Sequence, residues 1–177
     1  MGSLGKFKFL IRAVPFLVLL FAGFRALSLE PGELELRLVL VESGREILAL
    51  PMEPGEPFVI RYFHSVENSP IWETHSLDAR GRIFIEEEKY LKFGAGMGKM
   101  PRVGRMVRRG IYEVIEDMHM PVGRFVLRVG SGSVDHTLIW RGRSFPLSQE
   151  YTHEAVQFSG APVGWIHRFF HSRVPVL

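Results

Sequence analysis

Four titratable side chains crowd one short stretch: His64, Glu67, Glu73 and His75 fall within FVIRYFHSVENSPIWETHSL, residues 58–77. Imidazoles and carboxylates held close together move protons, ligate divalent metals or present N–H donors to an anion. His136 in VDHTLIW extends the set. Strand alternation groups Phe58, Ile60, Tyr62 and His64 on one face, and groups Val134, His136, Leu138 and Trp140 on another. Both histidines therefore face inward, where an imidazole without a partner costs about 1–3 kcal/mol. If His64 opposes Glu73, then Tyr62 opposes His75 and Ile60 opposes Leu77. On this register His64, Glu73 and His136 converge at one end of the domain, beside Glu67 and a turn at Phe93–Gly96.

Each specific chemistry has a counter-argument. His64, Glu67, Glu73 and His136 offer nitrogen and oxygen ligands, but no His-Glu-x-x-His or His-x-His spacing makes a metal specific. Ser65 follows His64 on the opposite strand face, and there is no Gly-x-Ser-x-Gly elbow, so a hydrolytic triad has no framework. Gly94, Gly96 and Gly98 lack the Lys-Ser or Lys-Thr of a phosphate loop, and an anion nest or tight turn suits them better. With no cysteine in the chain, thiolate catalysis and Cys-based metal sites are excluded. No cofactor is expected. Glu86, Glu87 and Glu88 read as a solvated strand face or as partners for nearby arginines.

The elements that must position these residues are strands. From Gly32 onward, short β-branched and aromatic runs are broken by turn dipeptides, while helical periodicity is weak. ELELRLVLV, a Ser43-Gly44 turn and REILALPM predict a hairpin over 34–52, followed by a strand at 58–65 and another at 82–93. The Gly- and Arg-rich segment 94–110 reads as a long loop. Strands resume in IYEVIEDM, GRFVLRVG, VDHTLIWRG and SFPLS. The expected fold is all-β: an antiparallel β-sandwich or flattened barrel of about nine strands at residues 29–150, with an aromatic and basic tail at 151–177. Tail residues Trp165–His171 read either as one or two helical turns presenting Trp165, Ile166, Phe169 and Phe170 to a membrane interface or as aromatics capping the core. The second is preferred because so short an amphipathic helix is marginal in water.

Ahead of the strands, Lys6, Lys8 and Arg12 precede an apolar run from Ala13 to Phe24. That layout predicts a signal peptide or anchor helix at residues 1–28, touching the membrane through 7–25 and placing the domain on its periplasmic or extracellular side. This leader holds four of the 22 basic residues and no acidic one, which leaves 18 basic against 19 acidic beyond it. A nucleic-acid partner thereby loses its compositional support.

Taken together, FVIRYFHSVENSPIWE, YLKFGAGMG and LRVGSGSVDHTLIW resemble the bacterial and archaeal domain of unknown function 1850 over roughly residues 34–147. The matching positions are His64, Ser65, Glu67, Pro70 and Glu73, then Phe93–Gly96, then His136–Leu138. The resemblance implies a small exported or tethered protein encoded beside TRAP transporters of the TAXI type, which take up small organic anions. It implies no enzymatic role for any residue. The resulting expectation is a non-catalytic accessory or ligand-binding protein, partnered by TRAP transporter subunits or a small carboxylate. Its ligand set would be His64, Ser65, Glu67, Glu73, Phe93, Gly94, Gly96 and His136. A metal-assisted hydrolase using His64, His136 and the glutamates is the rival, and a purely structural β-domain is the third reading.

Overall fold

The computed structural model describes residues 34–91 and 103–163. In β1 (Leu34–Leu40) the alternating leucines bury all four of their side chains. Gly44, at φ +68°, turns the chain into β2 (Glu46–Met52). β3 (Phe58–His64), β4 (Ser69–Leu77) and β5 (Ile83–Tyr90) follow as a meander. β6 (Arg105–Arg109) and β7 (Tyr112–Glu116) form a second hairpin, and β8 (Met120–Pro121) pairs with β5. β9 (Phe125–Arg128), β10 (Thr137–Trp140), β11 (Arg143–Pro146), the short helix α1 (Leu147–Glu150) and β12 (Ala155–Pro162) complete the described chain.

These strands make two antiparallel sheets. The smaller runs β2-β1-β12-β9, and the larger runs β11-β10-β3-β4-β5-β7-β6 with β8 beside β5. Neither sheet closes on itself, so the architecture is an open sandwich rather than a barrel. Its core joins Leu34, Leu36, Leu38, Val156 and Phe158 of the small sheet to Phe58, Ile60, Leu77, Ile83 and Leu138 of the large one. A satellite cluster of Ile71, Tyr90 and Ile115 lies farther along the large sheet.

Three expectations need correction. The described residues hold twelve strands, not about nine. The segment expected as a loop contains β6, whose arginines reach carboxylates of β5 and β7: Arg109 pairs with Glu87 at 3.0 Å, and both Arg105 and Arg109 pair with Glu116. The segment taken as a tail contributes β12, which lies between β1 and β9 and buries Val156 and Phe158 completely.

The β3–β4 register also differs. His64 faces Ser69, Ile60 faces Glu73 and Phe58 faces His75. The turn is only four residues, Ser65 to Asn68, with Asn68 at φ +44°. Pro70 fits inside β4 because it lies one residue beyond the last β4–β5 pair, Ile71 with Tyr90, where no ladder needs its missing N–H.

The sandwich has two distinct ends. At one, Gly160 packs against the backbone of Gly81, and Leu34 pairs with Pro162. At the other lie the β1–β2, β3–β4 and β6–β7 turns, where Gly130 N–H bonds the His136 ring and ties the sheets together. The leader at 1–28, the Phe93–Gly96 turn and the helical turns at 165–171 lie outside the described residues.

Candidate functional site

Tyr62 is the hub of the polar cluster. β3 lies between β10 and β4, and the pairing of Thr137 with Arg61 brings the preceding His136 beside Tyr62. The two rings are 5.4 Å apart and tilted by 45°. Toward β4, the Tyr62 hydroxyl donates to Glu73 Oε1 at 2.8 Å. Glu73 in turn sits directly opposite Glu88 of β5, and Glu88 accepts the hydroxyl of Tyr90. The result is a row of two carboxylates, each holding a tyrosine proton.

Burial sets the charge states. It raises the Glu73 carboxyl above the ordinary carboxylate range; Glu88 adds to the rise and the Tyr62 hydrogen bond opposes it. Burial and the Glu73 charge push the Tyr62 phenol upward, so it remains a donor. His75 stacks between Phe58 at 5.1 Å and Phe125 at 5.6 Å, and burial pushes it down to about 4. It is neutral near pH 7, so its 3.9 Å approach to Glu73 is a contact of neutral imidazole and not an ion pair. His136 is lowered by burial, with Asp135 opposing. Its Nδ1 accepts the Gly130 N–H at 2.9 Å, which leaves the proton on Nε2.

The expected site residues divide into three groups. Glu73 and His136 meet through Tyr62. His64 stays at the hairpin, half-buried, where its Nδ1 accepts the Glu67 backbone N–H at 3.4 Å; Ser65 is exposed in the same turn. Phe93, Gly94 and Gly96 lie outside the described residues. Sequence reasoning missed Tyr62, Glu88 and Tyr90 as members of the cluster. One signal was available: on a strand, three consecutive glutamates cannot all point to solvent. The bulge between Thr74 and His75 completes the sorting, turning Glu88 to the inner face while Glu86 serves the outer one.

That outer face carries another set, in which Ser76 donates to Glu86 at 2.6 Å and His119 Nδ1 lies 3.1 Å from both Glu86 oxygens. Here the carboxylate, not the imidazole, touches the serine, and Ser76 is buried. Among the described residues, no three His, Asp or Glu side chains are grouped to hold a metal. What the inner cluster does chemically is satisfy itself: Tyr62 to Glu73 ties β3 to β4, while Tyr90 to Glu88 closes within β5.

The family model for the domain of unknown function DUF1850 matches residues 58–147, half of the chain, and the protein belongs to that family. That span holds the whole inner cluster. No curated protein and no solved structure matches the chain.

Proposed function

We propose that this DUF1850 protein is an exported, non-catalytic accessory protein that contacts a TRAP-type solute transporter through its hairpin end. The observation that carries the reading is the placement of exposed aliphatic side chains. Val41 is 51% exposed, Val66 73% and Ile111 68%, each on a different hairpin turn and all at the same end of the sandwich. Single exposed aliphatics are ordinary; the reading rests on these three standing on turns at the same end, where one partner can reach them. The basic-then-apolar leader supports export, and the self-satisfied cluster around Tyr62 supports a structural role for the polar residues.

Replacing Val66 and Ile111 together by Asp tests this. Both side chains are exposed, so stability should stay within about 0.5 kcal/mol. Purified from membranes in mild detergent, the tagged natural chain should bring down a transporter subunit and the double variant should not. Recovery of no such subunit with the natural chain, or equal recovery with both, sinks the proposal.

A further inference from the structure

β9 is an outer strand of the small sheet, bonded to β12 alone. The N–H of Val129, just past its end, donates to the Glu154 carbonyl, so the odd residues of β9 turn their backbone groups toward β12. The N–H and C=O groups of Val126 and Arg128 consequently point away from the sheet, and among the described residues nothing pairs with them. Their side chains share the outer face with that of Arg124, a row of cation, aliphatic and cation in which all three residues are exposed, Val126 by 54%. Neither arginine has a carboxylate partner among the described residues; Arg128 donates only to the His153 carbonyl, at 3.3 Å. The other outer strands are better closed. β2 and β11 contain Pro51 and Pro146, which lack a backbone donor, and Arg105 and Arg109 of β6 are paired with Glu116 and Glu87 of their own sheet.

An edge of unpaired donors and acceptors is a template for a further strand. Residues directly opposite in an antiparallel pair share a face, so the strand that suits β9 sets an apolar side chain against Val126 and carboxylates two positions to either side, against Arg124 and Arg128. A second copy of β9 does not supply these. Centred on Val126 it sets arginine against arginine twice, and at any register the stretch VGRFVLRVG brings no carboxylate. We propose that β9 is a docking edge for an extended acidic segment of another protein, of the pattern acidic-x-apolar-x-acidic, added antiparallel as a fifth strand of the small sheet. The added strand also covers Phe125 and Leu127, which the end of the sheet leaves half-buried. This edge is separate from the Tyr62 cluster and does not rest on the transporter reading.

Amide chemical shifts and hydrogen exchange of the full chain in mild non-ionic detergent test it with two end-blocked peptides, Thr-Glu-Thr-Val-Thr-Glu-Thr and the same peptide with lysine in place of glutamate. The acidic peptide should give saturable shifts centred on residues 124–128 at millimolar concentration. It should slow exchange at the Val126 and Arg128 amides while leaving those of Phe125 and Leu127, already turned to β12, as they were. The lysine peptide should bind roughly fivefold more weakly or worse, two exposed ion pairs having become two repulsions. Arg124→Glu with Arg128→Glu should invert that preference and leave the melting temperature nearly unchanged, since both residues are exposed. Val126→Pro removes an outward donor and should abolish binding of the acidic peptide. The proposal fails if the two peptides bind alike, if the charge reversal leaves the preference intact, or if the shifts are absent or map away from β9. It also fails if the chain alone slows Val126 exchange as its concentration rises, which would give the edge to a second copy.

Discussion

His75 and Glu73, two positions apart on β4, bias stability with pH in opposite directions. His75 is lowered from 6.5 to about 4, so between those values the folded state binds fewer protons than the unfolded chain. Its contribution is complete above pH 6.5 and lost as the pH falls through 4, an amount of about 3 kcal/mol at 1.36 kcal/mol per unit. Glu73 is raised above 4.5, so its contribution is complete below 4.5 and disappears as the pH climbs through the folded value. His75→Phe keeps the stack with Phe58 and Phe125 while removing the titration. Urea melts between pH 7 and pH 4 should show the natural chain losing more stability across this range than the variant, in which only the opposing Glu73 contribution of the pair remains. Glu73→Gln retains an acceptor for Tyr62 and removes the charge facing Glu88. At pH 8 it should therefore gain about 0.5 kcal/mol, the scale of a like-charged cross-strand pair. Unchanged pH slopes in either variant would show that these groups do not carry the dependence.

Two glycines set how closely the elements approach. A Cβ on Gly160 of β12 would lie 2.4 Å from the carbonyl oxygen of Gly81, in the β4–β5 turn, and 2.7 Å from Leu77. Backbone cannot yield as a side-chain tip can, so Gly160→Ala forces the sheets apart locally at about 1–3 kcal/mol. Gly123→Ala meets nothing within 4 Å and incurs only the left-handed backbone penalty at φ +60°, about 1–2 kcal/mol. Thermal melts of the two variants should rank Gly160→Ala as the more damaging, and this margin should vanish if Leu77 is also trimmed to Ala only when the Leu77 contact, rather than the Gly81 backbone, is the obstacle. The register of β3 with β4 belongs to this scale as well. Four turn residues and the position of Pro70 place Glu73 opposite Ile60, so that Tyr62 rather than His64 reaches its carboxylate.

For the whole molecule, β12 is decisive. It is the last described strand in sequence, yet it sits inside the small sheet, and β9 joins that sheet through β12 alone. Val156 and Phe158 are fully buried, each worth about 1.5–3 kcal/mol. Removing β12 also uncovers the inner row of β1 and leaves β9 without a ladder. The combined loss approaches the roughly 5–15 kcal/mol that holds a domain of this size together. A chain ending at Glu150 should therefore show no cooperative melt by circular dichroism, whereas one ending at Val163 should keep it. A cooperative melt in the shorter chain would mean that the large sheet folds alone.

Local pattern alone was enough to identify the β-class, the 34–52 hairpin and the inward faces of β3 and β10. Leucines every second residue and turn dipeptides act within a few positions and need no distant partner. It was also enough to nominate Glu73 and His136. The structure alone decided what they touch. Cross-strand partners depend on turn length and bulges, and one shifted register exchanges His64 for Tyr62 at the carboxylate. The strand nature of Arg105–Arg109 was hidden because its support comes from Glu87 and Glu116 on neighbouring strands, not from its own apolar content. Glu88 was misread for the same reason: whether a charged residue faces water or its neighbour's carboxylate is settled by what packs across from it, which a chain read residue by residue does not contain.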